Sequence, residues 1–117
     1  MPSLKYDHTN SSTVAIVGIG CRFPGDANSP ETFWDLLINQ KNAVVDIPSS
    51  RWDINTFYDE TVGTPGKMYS KRAAVINDIS GFDADFFDIS PREAVGIDPQ
   101  QRLLLEVVWE ALEDAGI

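Results

Sequence analysis

The stretch Asp98-Pro99-Gln100-Gln101-Arg102-Leu103-Leu104-Leu105-Glu106 predicts the start of a long helix. Asp98 has the short acceptor side chain of a helix N-cap, and Pro99 follows at the first helical position, where a missing N–H costs nothing. Gln101 has a side chain that can complete a capping box. Apolar residues then recur at helical spacing to about Ala115, and their arc is wide. We therefore expect this helix to pack against protein on most sides.

The same start signals predict two further helices. Ser29 is an N-cap residue before Pro30, and the apolar spacing that follows predicts a helix ending near Gln40. The block Ser90-Pro91-Arg92-Glu93 has the residues of a capping box at the start of a short helix, which Gly96 should close. These helices make the predicted fold rich in helix.

One buried strand is predicted near the beginning of the chain. Thr13 to Cys21 is a short apolar run followed by a Gly and Pro cluster, which is typical of a strand buried on both faces of an α/β sheet. The middle third is rich in Pro and Gly and predicts loops with at most short strands. Residues 1–12 are polar, and we expect a flexible leader there and a folded segment over residues 13–117.

Composition excludes several classes of function. The 117 residues are 43% apolar, which is enough for a packed core, and their net charge is -9. Basic residues are few and scattered, so nucleic acid is not an expected partner. No apolar run is long enough to span a membrane and no signal-peptide pattern is present, so a cytoplasmic location is expected. The single cysteine, Cys21, agrees with a reducing compartment.

Two features of the first apolar run invite a chemical interpretation. Gly18, Gly20 and Gly25 resemble a phosphate-binding loop, but their spacing does not match one, so a structural role is favoured. Cys21 has the chemistry of a nucleophile, but the only histidine, His8, lies in the predicted leader. A buried structural cysteine is therefore the favoured interpretation. We predict no catalytic and no cofactor-binding residue in this chain.

Acidic and aromatic residues supply the remaining candidates. The carboxylates of Asp78, Asp83, Asp85 and Asp88 lack the ordered spacing of a calcium loop, so no metal site is predicted. We expect these carboxylates to face water while the interleaved phenylalanines dock into a core. Aromatic residues dispersed along a chain belong to a core more often than they line a ligand groove, so we expect these to be core residues. They are Trp34, Trp52, Tyr58, Tyr69 and Trp109.

Several blocks in order resemble the opening of a ketosynthase domain of type I modular polyketide synthases. They are Val14 to Gly25, Phe33-Trp34-Asp35-Leu36-Leu37, Pro48 to Asp53, Phe82-Asp83-Ala84, Ile89 to Ala94 and Asp98 to Arg102. The chain departs from the family's usual pattern at Ala73-Ala74 and Asp88, where glycines are common, and at Gly96-Ile97, where Ala-Met is common. The departures affect local loop and helix geometry.

The resemblance implies a thiolase-like layered α/β fold, of which this chain would be an incomplete N-terminal portion, helix-rich with one buried strand. It also implies a homodimer that takes acyl groups from the phosphopantetheine arm of an acyl carrier protein. The family's reaction is a decarboxylative Claisen condensation with a malonyl-type unit, using one cysteine and two histidines. None of those three residues can be assigned to a position here.

Two hypotheses about function follow. In the first, the chain is the N-terminal segment of a polyketide synthase ketosynthase, truncated or split, and does not catalyse by itself. In the second, it is a non-catalytic binding or scaffold module that pairs with a complementary ketosynthase part. Both hypotheses predict that its main partner is the remainder of a ketosynthase domain.

Overall fold

The computed structural model describes residues 14–117, so the predicted leader over residues 1–12 and the first residue of the predicted strand, Thr13, lie outside the described residues. Four helices and two short strands follow in chain order. They are α1 (Pro30–Ile38), β1 (Val44–Asp46), α2 (Ile54–Phe57), β2 (Arg72–Ala74), α3 (Pro91–Gly96) and α4 (Pro99–Asp114).

The predicted helix starts are confirmed. Ser29 caps α1 in a capping box with Thr32, and the Ser29 hydroxyl accepts from the Thr32 N–H at 3.2 Å. Ser90 and Glu93 form the predicted box at α3. The box predicted for α4 is wrong, because the Asp98 carboxylate accepts from the Gln100 N–H at 2.8 Å. This bond still pairs one of the N–H groups in the first turn of the helix, which have no acceptor within the helix.

Between α1 and α3 the chain is mostly loop, as predicted. The two short strands, β1 and β2, pair antiparallel with Val44 opposite Ala74 and Asp46 opposite Arg72. The loop between Phe87 and α3 turns through Asp88, which has a φ of 54°. This is the left-handed conformation that glycine adopts without steric penalty. Asp88 is also a position where the ketosynthase pattern commonly has glycine.

The buried strand predicted for Thr13 to Cys21 is wrong over its described residues. From Val14 to Arg22 the chain is extended but pairs with no strand, and Val14 and Ile16 are 92% and 83% exposed. A buried strand needs a hydrogen-bonded strand on each edge, and here α4 runs beside the segment instead. The Ile19 N–H donates to the carboxylate of Asp114 at 3.0 Å. Of the apolar residues from Val14 to Cys21, only Cys21 is buried, so the predicted burial is correct only at that position.

The core of the described segment is very small. Within residues 14–117 only Cys21, Ala27 and Ile47 are buried hydrophobic residues. Over the same range β1 and β2 are the only helices or strands that contact each other, so no helix packs on another. The Cα radius of gyration is 20.4 Å, whereas a compact domain of this length has about 13 Å. The described helices include none that is long and apolar enough to cross a membrane.

Candidate functional site

The extended segment from Val14 to Arg22 is held against α4 by an ion pair. The Arg22 guanidinium binds the Glu110 carboxylate through two nitrogens. Nη1 lies 2.6 Å from Oε2, and Nη2 contacts Oε1. The same Nη1 donates to the carbonyl oxygens of Cys21 at 3.0 Å and Asn28 at 3.2 Å. The hydrogen bond to Glu110 raises the pKa of Arg22, so the guanidinium stays charged. We call this contact the Arg22–Glu110 clasp.

Two glycines let the backbone approach α4 closely. A β-carbon on Gly18 would overlap the carbonyl oxygen of Ala111, and one on Gly20 would overlap that of Val107. The space beside these glycines is therefore filled by helix backbone and has no room for a pyrophosphate. Gly25 has a φ of 82° in the turn that follows. The structural role favoured for the three glycines is confirmed, although the neighbour is a helix rather than a sheet.

Cys21 has the surroundings of a structural thiol. It is 9% exposed, and its Sγ lies 4.0 Å from the carbonyl oxygen of Ala27. Burial raises the pKa of the Cys21 thiol; the charge of Arg22 lowers it, while Glu110 and Glu31 raise it further. A reactive cysteine needs a lowered pKa and an adjacent base. His8, the only histidine in the sequence, lies outside the described residues.

The acidic residues bind backbone amides of their own loops. Asp78 accepts from the N–H groups of Gly81 at 2.9 Å and Ser80 at 3.0 Å, and these bonds lower the pKa of its carboxyl. Asp83 accepts from the Phe86 N–H at 3.1 Å. Over residues 14–117 no group of three or more His, Cys, Asp or Glu residues is arranged to hold a metal ion.

The phenylalanines of that region cluster together and one of them contacts α4, but the predicted docking into a core is incomplete. The Phe86 ring meets the Trp109 ring edge-on at a centroid distance of 4.8 Å, and it meets Phe87 in the same way at 5.0 Å. Phe86 is still 53% exposed and Trp109 44%. The aromatic cluster therefore has one open side.

Several aromatic residues predicted to be core are exposed instead. Trp34 and Tyr69 are 62% and 66% exposed because nothing in residues 14–117 covers them. Trp52 lines an open, largely apolar cleft of about 420 Å³ together with Phe57 and Met68. These surfaces suit burial against further protein more than the binding of a small polar ligand.

The wide apolar arc predicted for α4 is present and uncovered. Its side chains line an apolar groove of about 360 Å³ with Ile97 at one end. The exposed apolar residues of the helix are Leu104, Leu105, Val108, Trp109 and Leu112. Soluble proteins rarely expose a contiguous apolar surface of this kind unless it binds another protein surface. The chemistry that the described residues support is therefore association.

The family model for the β-ketoacyl synthase N-terminal domain matches residues 11–117, which is nearly the whole chain. The chain belongs to the β-ketoacyl synthase family. This ketosynthase segment is 58% identical over 104 residues to one phenolphthiocerol/phthiocerol polyketide synthase protein of Mycobacterium tuberculosis, and 54% identical over 104 residues to a second protein of that system. These matches cover 89% of the segment but 7% and 6% of the relatives.

Solved ketosynthases have the same conformation over the matched region. The ketosynthase segment superposes with a TM-score of 0.80 on an oxazolomycin ketosynthase domain from Streptomyces albus, at 40% identity. It superposes equally well on the module 6 ketosynthase of the Bacillus subtilis bacillaene synthase, at 44% identity. Each match covers at least 85% of this chain and 17% of the other. The predicted fold class, a portion of a thiolase-like α/β fold, is confirmed.

The sequence did not predict the most specific contact of this segment. Arg22 joins a glutamate 88 residues further along the chain. A single sequence holds no local signal for such a pair, because neither residue type nor spacing identifies the partner. The glycine spacing of Gly18 and Gly20 was a usable signal for close backbone approach.

Proposed function

We propose that this chain supplies the opening segment of a polyketide synthase ketosynthase, and that its role is to pack against the rest of that domain. The observation that carries the proposal is the combination of a ketosynthase conformation with an almost absent core. The segment keeps its matched shape while its helices touch no other helix in residues 14–117. Its apolar surfaces have the character of surfaces that are interior in a larger fold.

The proposed reaction of the assembled domain is a decarboxylative Claisen condensation. In this reaction an acyl group joins a malonyl-type unit carried by an acyl carrier protein, and the new carbon–carbon bond forms as carbon dioxide leaves. The expected partners are that carrier protein with its phosphopantetheine-linked acyl groups, a second ketosynthase copy and the remaining part of the domain. A cytoplasmic location belongs to the same proposal, and the free thiol of Cys21 supports it.

The segment itself is proposed not to catalyse. Condensation requires an activated thiolate and groups that stabilise developing negative charge. Burial holds the Cys21 thiol in its neutral form. The test is incubation with an acyl-loaded carrier protein followed by intact mass measurement, for which we expect no acyl adduct. A stoichiometric adduct that disappears in Cys21→Ser would contradict this part of the proposal.

The packing role has its own test. Expressed alone, the chain should self-associate or bind a hydrophobic dye, and co-expression with a ketosynthase remainder should give a compact complex that binds little dye. Size exclusion and dye fluorescence measure both states. A sharp monomer that melts cooperatively and binds no dye would overturn the packing role. Binding to an intact ketosynthase, but not to the remainder, would favour a non-catalytic scaffold module.

A further inference from the structure

A cleft of about 350 Å³ lies where the loop before α2, the loop before α3 and the first turns of α4 come together. It differs from the apolar grooves of the segment because polar and cationic side chains line it. The residues around it are Ser50, Arg51, Asn77, Ile79, Ser80 and Arg102.

Arg102 lines this cleft and has one unsatisfied donor. Its Nε is buried from solvent and has no hydrogen-bond partner within residues 14–117. Buried N–H groups are nearly always paired, and a guanidinium nitrogen can only donate, so an acceptor is required. Arg102 lies in the first turns of α4, where the helix backbone fixes its position.

Arg51 brings a second guanidinium to the same cleft. Its Nη2 donates to the carbonyl oxygen of Ile76 and to that of Asn77 at 3.3 Å, which anchors the side chain to the loop before α3. Neither acceptor carries a charge. The ion pairs of residues 14–117 involve Arg22 and Arg72, so neither guanidinium of the cleft has a carboxylate in contact.

Among residues 14–117, no acidic side chain lines the cleft. This is notable in a chain with a net charge of -9, where acidic residues outnumber basic ones by two to one. Asp78 is not among the lining residues; hydrogen bonds from the amides of Gly81 and Ser80 lower the pKa of its carboxyl most, and the charge of Arg51 lowers it further. Two like charges in one cleft repel each other, and an anion bound between them would offset that repulsion by attracting both.

We propose that this cleft binds an oxyanion, held by the guanidinium groups of Arg51 and Arg102. The planar fork of each guanidinium matches the oxygens of a carboxylate or a phosphate. The Ser50 hydroxyl adds a neutral donor at the rim. The oxyanion comes either from an acidic side chain of a protein segment packed over the cleft or from a soluble phosphate or carboxylate molecule.

The test follows the arginine Nε–Hε resonances of the isotope-labelled chain by nuclear magnetic resonance. Inorganic phosphate and acetate are titrated separately, with sodium chloride at matched ionic strength as the salt control. We expect a saturable shift of the Arg102 resonance. Arg51→Lys and Arg102→Lys keep the positive charge but lose the planar set of N–H donors of the guanidinium. Each should weaken the binding of phosphate and acetate by at least about fivefold. Arg51→Lys is followed at the Arg102 resonance, and Arg102→Lys is followed at the Arg51 resonance.

Arg92→Lys is the matched control, because Arg92 is exposed on α3 and does not line the cleft. It should change the affinity by less than about twofold. If sodium chloride reproduces the shift, or if all three lysine variants weaken binding equally, the effect is charge screening and the proposal is overturned.

The source of the oxyanion is separated by repeating the titration on the complex with a ketosynthase remainder. This arm rests on the proposed function, and size exclusion shows independently whether the complex forms. If a carboxylate of the remainder fills the cleft, the Arg102 resonance of the complex should already be shifted and should no longer respond to phosphate. A soluble oxyanion predicts a response there as well. If the Arg102 resonance is unshifted and responds to the anions neither in the chain alone nor in the complex, the proposal is overturned. If no complex forms, the titration of the chain alone decides whether the cleft binds an oxyanion.

Discussion

The Arg22 guanidinium and the Glu110 carboxylate form a forked ion pair across 88 residues of sequence. Arg22 also donates to two backbone carbonyls, so one side chain connects the extended segment, the turn after it and α4. The side chains of the pair are 21% and 38% exposed, so water screens the clasp only in part. This geometry makes the clasp the main polar restraint on the position of the extended segment.

Glu110→Gln should loosen the extended segment from α4. The variant removes a charge-assisted fork that is partly exposed, so we expect a local destabilisation of about 0.5 to 1 kcal/mol. Amide hydrogen exchange of the peptide containing residues 14–22 should rise about twofold to fivefold. The control is Asp46→Asn, which removes the more exposed contact of Asp46 with Arg72 at 3.7 Å. Equal exchange in the two variants would show that the fork adds nothing.

Gly18→Ala should displace the same segment more strongly. The added methyl group would overlap the Ala111 carbonyl oxygen, which belongs to the helix backbone and cannot move aside alone. Overpacking of this kind costs about 1 to 3 kcal/mol. Hydrogen exchange at the Ile19 amide should therefore increase, because its bond to Asp114 is lost.

Gly96→Ala is the matched glycine control. Among residues 14–117, a β-carbon at Gly96 meets nothing within 4 Å, and the residue lies at the end of α3. Alanine there should leave the extended segment unchanged and stabilise the helix by up to about 1 kcal/mol. If Gly18→Ala behaves like Gly96→Ala, the close approach to α4 is not formed in solution.

Asp98→Ala and Ser90→Ala should each destabilise the folded state by about 1 kcal/mol, because each removes the side-chain acceptor at a helix start. The measurement is helix content and thermal melting by circular dichroism. Ser49→Ala is a suitable control, because Ser49 is exposed and caps no helix. Melting curves that match the parent for both cap variants would mean that α3 and α4 begin elsewhere.

Asp88→Gly should stabilise the turn before α3. Asp88 has a φ of 54°, and glycine reaches this region without the clash of a β-carbon. Aspartate tolerates the region better than most residues, so we expect a gain of only about 0.5 to 1 kcal/mol in urea unfolding of the complex with a ketosynthase remainder. Asp85→Gly, at a neighbouring position without positive φ, should destabilise instead. A loss of stability in Asp88→Gly would contradict the left-handed turn.

Acid should weaken the folded state in a defined window. Folding lowers the pKa values of Glu31, Asp59, Asp78 and Glu93, chiefly through hydrogen bonds from their own or nearby residues. Their stabilising effect is present above the unfolded pKa, about 4, and is lost as the pH falls through the lower folded values. Helix content should therefore be constant from about pH 8 to pH 5.5 and fall below about pH 4.

Glu93→Gln tests the source of that acid effect. The Ser90 hydroxyl donates to Glu93 at 2.7 Å and is the main cause of the lowered pKa of this carboxyl. The variant should lose less structure than the parent between about pH 5 and pH 3, because one of the titrating groups is gone. Dilute samples are needed, since the sequence pI is about 4.3 and the chain carries little net charge there. If the acid transition of the variant matches that of the parent, other carboxyl groups cause the transition.

Local chemistry explains which parts of the fold the sequence predicts. Ser29, Ser90 and Asp98 cap helices through amides two or three residues away, so the signal and its partner lie in one short window. The extended segment was mistaken for a buried strand because apolar, β-branched residues predict burial but not what covers them. Strand pairing depends on residues far apart in the chain, and so does the clasp.

The distance between Arg22 and Glu110 also has a consequence for synthesis. At about 5 to 20 residues per second, a ribosome adds the 88 residues from position 23 to Glu110 in roughly 4 to 18 s. Throughout that interval the segment around Val14 and Ile16 exists without the helix that holds it. Non-specific collapse of a chain takes microseconds, so the nascent segment meets other surfaces long before α4 exists. Chaperones that bind short apolar stretches therefore have a defined time in which to act on it.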